Sequence, residues 1–508
     1  MKARWLVLTL ALISQLSWAA ATVQIQSGRI EGTVQNGVES FLGIPYARPP
    51  LGNLRWQRAL SAKSWSGVKK TIQFGPSCMQ AIFKYDRDPL PDHYSEDCLT
   101  INVLRPAHLQ PRMPVMVWIH GGGFVNGGSA SPVYNGESFA KQGIIFVSFN
   151  YRLGRFGFFA HPALSSNMFH GNYGLMDQIS ALRWVQDNIA SFGGDPKNVT
   201  LFGESAGGYS IHALLTSHYS RDLFNRVIIQ SGGGRLSLTD HNPWSKAIQS
   251  GIQFAKNNGI TDTSEKGLAQ LRQLPAKVLQ GDLNLGNMAQ EQSTYSGTVI
   301  DGKIIAHEPE TNYQDRDFSH VPILVGANQY DLGIVTQNYS SREQVLKQFG
   351  DLSKQAEQAY APSLTPEDLA YRISMQQMMV EPARFIARQF ASAGQPVWEY
   401  RFAYVAKTNQ DKWLGAFHAT EIPYVFNTLP STYGTDLSAQ DQAMADLMHQ
   451  YWVNFAKTGN PNGKGLPRWP QYDRQHDQLM MFSAKGAAQS KAQPDPMRAQ
   501  LDLVEQIQ

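Results

Sequence analysis

The sequence of 508 residues predicts an α/β fold, in which a large, mostly parallel central β-sheet carries helices on both faces together with helical insertions. Three apolar runs have the character of buried strands, and each leads into a glycine loop or a polar side chain. They lie at residues 115–119, 198–202 and 321–326. Since no linker, repeat or low-complexity tract divides the chain, we expect residues 22–508 to form one domain.

The second run leads into a G-x-S-x-G pentapeptide at residues 203–207, with Ser205 at its centre. A strand that enters a sharp turn of small residues around a serine is how α/β-hydrolases expose a nucleophile. Residues 206–215 are predicted to be a helix whose first amides point at the reaction centre. Glycine and serine are common residues, so a chance match remains open for the pentapeptide alone.

A glycine loop, His-Gly-Gly-Gly-Phe, follows the first apolar run at residues 120–124. The bare N–H groups of such a loop can donate to an oxyanion, together with the amide of the residue after the nucleophile. The predicted donors are Gly122, Gly123 and Ala206. A tight glycine turn without a ligand is the alternative for an isolated loop, but the order of the two motifs favours the oxyanion site.

The general base is predicted to be His418. In α/β-hydrolases the acid and then the histidine follow the serine along the chain. His418 lies in a loop after the strand-like residues 397–402. Two later histidines, His449 and His476, are expected to be solvated because one lies on a polar helical run and the other in a charged turn.

The third member, a carboxylate, is predicted after the run at residues 321–326. Asp331 comes five residues after Gly326, which closes that run. A carboxylate at this place would lie on the carboxyl edge of the sheet, where ligands of α/β folds bind. The sequence therefore predicts a triad of Ser205, His418 and Asp331.

Several further motifs make the chain resemble the type-B carboxylesterase and cholinesterase family of α/β-hydrolases over nearly its whole mature length. They are FLGIPYA at 41–47, LRW at 54–56, SEDCLTINV at 95–103, FGGDP at 192–196, YWVNFA at 451–456 and GNPN at 459–462. The resemblance implies an α/β-hydrolase fold with a substrate gorge. It also implies Ser205 as nucleophile, His418 as base, and oxyanion amides from Gly122, Gly123 and Ala206.

The chain departs from this family at the acid. The family usually has a Gly-x-Asn-x-Asp-Glu-Gly pattern with glutamate in the triad, whereas residues 326–333 here are GANQYDLG. Counting from Gly326 places Asp331 on the glutamate position. Since aspartate is one methylene shorter, the backbone must approach His418 more closely.

The resemblance also implies roles for three neighbouring side chains. Glu204 and Ser231 are expected to support the triad, with ordinary core polarity as the alternative. Phe124 is expected to line the acyl or alcohol side of the substrate site, or else to pack the glycine loop.

These roles predict a serine carboxylesterase that works through an acyl-enzyme, with a small-molecule ester as substrate and no metal or cofactor. A hydrolase of an amide, lactone or lipid ester and a catalytically inactive, cholinesterase-like binding protein are the alternatives. The polar, helix-favouring segments 242–280 and 340–394 are expected to build the wall and rim of the gorge.

The N-terminus has the pattern of a secretory signal peptide, predicted here over residues 1–21. A basic start precedes an apolar run that is too short to span a membrane. Removal of Lys2 and Arg4 would lower the formal net charge from +3 to +1. The mature protein is therefore expected to be secreted or periplasmic, without a membrane span and without affinity for nucleic acid.

The chain has two cysteines, Cys78 and Cys98, which an exported protein most simply pairs. The family has a disulfide at these places, closing a loop at the mouth of the gorge. Cholinesterases carry a tryptophan in that loop that stacks on choline. This loop has Phe83, Tyr85 and Tyr94 but no tryptophan, so no strong choline preference is expected.

Overall fold

The computed structural model describes residues 20–84, 89–165, 170–235 and 243–508. Most of the predicted signal peptide, residues 1–19, lies outside them, as do Tyr85 and Asn242. The strands are β1 Ala20–Ile25, β2 Gly28–Gln35, β3 Val38–Pro45, β4 Val68–Lys70, β5 Ser77–Cys78, β6 Tyr94–Ser95, β7 Thr100–Pro106, β8 Met113–Ile119, β9 Ile145–Phe149, β10 Phe158–Phe159, β11 Gly171–Asn172, β12 Gly194–Glu204, β13 Arg226–Gln230, β14 Ile323–Asn328, β15 Val397–Phe402, β16 Gln478–Phe482 and β17 Lys491–Pro494.

Most of the α-helices alternate with the strands from Glu137 onward. They are α1 Glu137–Lys141, α2 Gly154–Gly157, α3 Tyr173–Asn188, α4 Ala206–Thr216, α5 Trp244–Asn257, α6 Glu265–Gln273, α7 Ala276–Gln280, α8 Pro309–Gln314, α9 Arg342–Leu346, α10 Ser353–Ala359, α11 Pro366–Met375, α12 Glu381–Ser392, α13 Ile422–Phe426, α14 Leu429–Tyr433, α15 Ala439–Thr458 and α16 Arg498–Glu505. A π-helical turn, Gln376–Val380, joins α11 to α12. Both segments predicted as helical insertions consist mainly of helices over their described residues.

One large sheet forms the centre of the molecule, with strand order β1-β2-β3-β7-β9-β8-β12-β13-β14-β15-β16-β17 and β4 paired to β2. From β9 through β16 every neighbouring pair is parallel, whereas the flanking pairs β1–β2, β2–β3, β3–β7, β7–β9 and β16–β17 are antiparallel. The predicted large, mostly parallel sheet is confirmed at the centre of the fold.

The central strands are apolar on both sides because helices cover both faces of the sheet. Along β8, Val115 and Val117 belong to one core cluster, with α3, α4 and α12, while Met116 and Trp118 belong to the other, with α13 and α15. This burial explains why a continuous apolar run, rather than an alternating one, marked the strand in the sequence.

Strand register brings the candidate site residues to one edge. Gly203 of β12 lies opposite Ile119 of β8, and Glu204 lies opposite Gln230 of β13. Gln230 in turn lies opposite Gly326 of β14. The loops that follow these parallel strands therefore start side by side at the carboxyl edge of the sheet.

Two expectations need correction. The strand expected at residues 321–326 is Ile323–Asn328, because Pro322 has no N–H for the ladder and pairing starts after it. His449 is not solvated: it is 4% exposed on α15, its Nδ1 lies 2.8 Å from the Val425 carbonyl oxygen, and its ring packs on Phe139. A main-chain carbonyl bonds one nitrogen of the imidazole inside the core, which the polar sequence context did not indicate.

Candidate active site

Ser205 lies at the turn between β12 and α4. Its backbone has φ 54° and ψ −124°, a conformation that L-residues rarely adopt. Ser205 is partly exposed, while the residues on both sides of it are buried. The strained turn thus presents one hydroxyl at the carboxyl edge of the sheet, as the pentapeptide predicted.

Close backbone packing explains the glycines of the turn. A Cβ on Gly207 would lie 2.0 Å from the Ile119 carbonyl oxygen, so no side chain fits at this position. Gly203 is equally restricted, since its Cβ would lie 2.7 Å from the Gly207 carbonyl carbon. Small residues are required here because α4 starts directly against the end of β8.

The glycine loop lies beside this turn. Its conformation depends on positive φ angles of 104° at Gly122 and 61° at Gly123, and the Gly122 carbonyl accepts hydrogen bonds from the amides of Val125 and Asn126. No acceptor in the described residues takes the N–H of Gly122 or Gly123. Ala206 is the first residue of α4, where amides have no partner within the helix.

The distance between loop and turn is short. A Cβ built on Gly121 would lie 3.2 Å from the Cβ of Ser205, so the glycine loop passes directly over the serine. The loop that contains Gly122 and Gly123 therefore lies against the turn that contains Ser205 and Ala206.

Asp331 and His418 form a hydrogen-bonded pair. The Oδ1 atom of Asp331 lies 2.6 Å from Nδ1 of His418. The carboxylate is completely buried and accepts further hydrogen bonds from the Ser231 hydroxyl at 2.7 Å, the Asn328 amide at 2.8 Å and the Leu332 amide at 2.7 Å. Burial opposes ionisation, but His418 and these donors hold the pKa of Asp331 below its usual value.

The other side of the imidazole faces Glu204. Its Nε2 lies 3.1 Å from Oε1 of Glu204, the residue that precedes Ser205. Burial disfavours the charged ring, but the carboxylates of Glu204 and Asp331 raise the pKa of His418 to about 9. The imidazole thus lies between two carboxylates, and its Nε2 is next to the residue that precedes Ser205.

Glu421, which was not predicted from the sequence, is the centre of a second group of buried polar side chains behind the triad residues. This buried carboxylate accepts hydrogen bonds from Gln230 Nε2 at 3.0 Å and Asn328 Nδ2 at 2.6 Å. Asn328 Nδ2 also donates to the carbonyl of Phe417, next to His418. The only sequence signal was the spacing of a glutamate three residues after the histidine.

The walls above the loop are apolar. Phe124 is 2% exposed and packs on Phe158 with ring centroids 5.1 Å apart, so its role toward substrate stays a prediction. Leu285 and Met288 lie over the glycine loop: a Cβ on Gly123 would be 2.6 Å from Leu285 Cδ2 and 3.1 Å from Met288 Sδ. Neither residue was predicted, because they come from an irregular loop.

The model of the carboxylesterase family matches residues 19–500. The chain belongs to this family. Carboxylesterase 1D of Rattus norvegicus is 34% identical over 91% of this chain and 88% of that protein. Fumonisin B1 esterase of Sphingopyxis macrogoltabida is 33% identical over 91% of this chain and 87% of that protein. A solved structure of PNB esterase superposes with a TM-score of 0.82 at 30% identity, covering 95% of this chain and 99% of that one.

Membership of the carboxylesterase family confirms the predicted fold and the predicted class, a carboxylic ester hydrolase. The predicted disulfide is also present, joining Cys78 to Cys98. Within the ranges that the structure describes, no helix is long and apolar enough to cross a membrane. In the same ranges no group of three or more His, Cys, Asp or Glu side chains is arranged to hold a metal ion.

Proposed function

We propose that this carboxylesterase is a serine esterase in which Ser205, His418 and Asp331 form the catalytic triad and the amides of Gly122, Gly123 and Ala206 form the oxyanion hole. The observation that carries the proposal is the 2.6 Å hydrogen bond from His418 to the buried Asp331, with the other imidazole nitrogen 3.1 Å from Glu204, the residue that precedes Ser205. A base that is oriented by a third group and faces a nucleophile is the arrangement that acyl transfer needs.

Acylation begins when neutral His418 takes the proton of the Ser205 hydroxyl and the alkoxide attacks the ester carbonyl. The three amides stabilise the negative charge that develops on the carbonyl oxygen. The imidazolium then gives its proton to the leaving alcohol, and an acyl-Ser205 ester remains.

Deacylation repeats these steps with water in place of the serine. His418 takes a proton from the water, the hydroxide attacks the acyl carbonyl, and the acid leaves as Ser205 recovers its proton. Asp331 fixes the ring with Nδ1 protonated and stabilises the imidazolium, but it does not take the proton itself.

The side chains near the site support neutral esters as substrates. Leu285 and Met288 over Gly123 are apolar, and the described part of the Cys78–Cys98 loop contains no tryptophan for a choline cation. We therefore propose esters with neutral acyl groups. Amides and lactones are rival substrates of the same machinery.

The proposal includes export from the cytoplasm. The predicted signal peptide and the Cys78–Cys98 disulfide support it, since disulfides persist mainly in oxidising compartments. Expression in a bacterial host with the native N-terminus tests this point: we expect a processed, disulfide-bonded protein outside the cytoplasm. A full-length protein that stays in the cytoplasm would contradict it.

The test of activity is the initial rate of hydrolysis of 4-nitrophenyl esters of increasing acyl length, with Ser205→Ala alongside. We expect turnover by the unsubstituted enzyme and none by the variant. Matched 4-nitroanilides separate an esterase from an amidase, because faster cleavage of the anilide would favour the rival substrate class. A folded enzyme that is inactive on all of these would contradict the proposal.

A further inference from the structure

The side chain of Asn126 links three loops at the site. Its Nδ2 donates to the Ala81 carbonyl at 2.7 Å and to Gln80 Oε1 at 3.3 Å, and its Oδ1 accepts from the Leu285 amide at 2.9 Å. Asn126 itself is 2% exposed and lies two residues after the end of the glycine loop. One carboxamide thus joins the glycine loop, the disulfide-closed loop and the loop that carries Leu285.

Gln80 adds a second connection from the disulfide-closed loop. Its Oε1 accepts from the Gly127 amide at 2.9 Å, while its Nε2 donates to the Gly127 carbonyl at 2.7 Å and to the Cys78 carbonyl at 3.1 Å. The side chain pairs with both polar groups of Gly127, as a neighbouring strand would. The segment that follows the glycine loop is therefore hydrogen-bonded to the residue two positions after Cys78.

The same contacts position the donors of the proposed oxyanion hole. Asn126 N donates to the Gly122 carbonyl at 2.9 Å, and this bond closes the turn that contains Gly122 and Gly123. At the same turn, Leu285 is 37% exposed and its Cδ2 lies over Gly123. An exposed apolar side chain beside the predicted amide donors is placed to touch the substrate.

We infer that Asn126 is a positioning residue of this esterase, which sets the oxyanion amides and the Leu285 wall in one fixed arrangement. The inference rests on the proposed function. Asn126 does not reach the reacting atoms; its carboxamide holds the backbone groups that do. Because misplacement of catalytic groups by about 1 Å can cost about 100-fold in rate, a change in this amide is expected to lower turnover.

The test compares Asn126→Asp with a matched control, Asn188→Asp. The carboxylate introduced at position 126 would keep the acceptor for the Leu285 amide but would turn an oxygen toward the Ala81 carbonyl, where a donor is needed. Asn188 is a buried asparagine of α3, away from the site, whose Oδ1 accepts from Gln26 N and whose Nδ2 donates to the Trp184 carbonyl, both at 2.9 Å. The control variant reports the cost of the same exchange in the core.

Rates are expressed per active site, counted by stoichiometric release of 4-nitrophenol from an organophosphate. We expect kcat per site on 4-nitrophenyl butyrate to fall roughly 10- to 100-fold in Asn126→Asp. Affinity for a trifluoromethyl ketone, which binds as a tetrahedral oxyanion, should fall by a similar factor. In Asn188→Asp both quantities should stay within about twofold.

Gln80→Glu is the second variant if Asn126→Asp fails to fold. This variant loses the donor to the Gly127 carbonyl. It should lower kcat per site and ketone affinity, both by a smaller factor than Asn126→Asp. Unchanged kcat per site and ketone affinity in a folded variant would overturn the inference. A smaller number of active sites that react with the organophosphate, with normal kcat at each remaining site, would overturn it as well. Absence of ester turnover in the unsubstituted enzyme would overturn the proposed function, and the inference with it.

Discussion

Asp331 reaches Nδ1 of His418 at 2.6 Å, although the family pattern has the longer glutamate at this position. The strand β14 ends at Asn328. The main-chain N–H of Asn328 donates to the Asp331 carboxylate at 2.8 Å, so the chain turns tightly after the strand. With this turn, the shorter aspartate side chain lies within hydrogen-bond distance of the histidine.

Asp331→Asn should therefore keep the fold and lose most activity, because the amide favours the wrong imidazole tautomer. A comparable change in a serine protease costs about 10⁴-fold in kcat. Asp331→Glu should also be slow, since the side chain is completely buried and another methylene would shift the carboxylate from its 2.6 Å contact with His418. Steady-state kinetics on a 4-nitrophenyl ester, with circular dichroism as the control, measure both. Near-normal rates in Asp331→Asn would point to another carboxylate.

The pH profile should be alkaline. Since Glu204 and Asp331 raise the pKa of His418 to about 9, the ring is largely protonated at neutral pH and only its neutral form can act as base. We expect log(kcat/KM) to increase with pH up to about 9. Glu204→Gln removes one carboxylate, lowers this pKa and should move the rise to lower pH. A profile that is the same in both proteins would contradict the electrostatic role of Glu204.

Glu421 should be needed for the position of the His418 loop. Glu421→Ala leaves Gln230 Nε2 without its acceptor and takes one of two acceptors from Asn328 Nδ2, and a buried unpaired group costs about 1–3 kcal/mol. Thermal unfolding should show this loss together with a reduced kcat. Glu343 is an exposed glutamate of α9, and Glu343→Ala is the control. It should change neither thermal stability nor kcat. A Glu421→Ala variant as stable as this control would contradict the account.

The disulfide should stabilise the fold. A bridge between Cys78 and Cys98, 20 residues apart, corresponds to roughly 3 kcal/mol in the chain-entropy model. Reduction, or the paired change of both cysteines to serine, should lower the melting temperature. An unchanged melt together with two titratable thiols in the untreated protein would exclude the bridge.

A buried carboxyl away from the site, Glu399 on β15, predicts how stability depends on pH. Burial and the nearby Asp495 raise its pKa to about 8. Between about pH 4.5 and 8 the folded protein therefore holds a proton that the unfolded chain has lost, and this group lowers stability as pH increases, by up to about 1.4 kcal/mol per pH unit. The free energy of unfolding of Glu399→Gln minus that of the parent should therefore be more favourable to the variant at pH 8 than at pH 5. Equal pH dependence in denaturant titrations would contradict this.

The elements that carry the site could be predicted because local patterns specify them. The strands at Val115 and Val199 are continuous apolar runs, and the turn at Ser205 needs small residues that stand out in the sequence. Asp331 was reached through its spacing from Gly326. Each of these signals lies within a few residues of the group it identifies.

The remaining features depend on contacts between distant segments. Asn126 joins loops 46 and 159 residues away in sequence, and Glu421 binds Gln230 across 191 residues. A single amide or carboxylate in an irregular loop has no periodicity to mark it. The prediction that His449 is solvated was wrong for the same reason, since its partner is a carbonyl on another helix.

In the proposed mechanism, Ser205 is acylated during turnover. Rapid mixing of the enzyme with excess 4-nitrophenyl butyrate measures it, followed by mass spectrometry of the acid-quenched protein. We predict an acyl group on the peptide that contains Ser205, and a burst of 4-nitrophenol that approaches one equivalent per site if deacylation limits the rate. Neither should occur in Ser205→Ala. Hydrolysis that persists in Ser205→Ala, or an acyl group on another residue, would contradict the account.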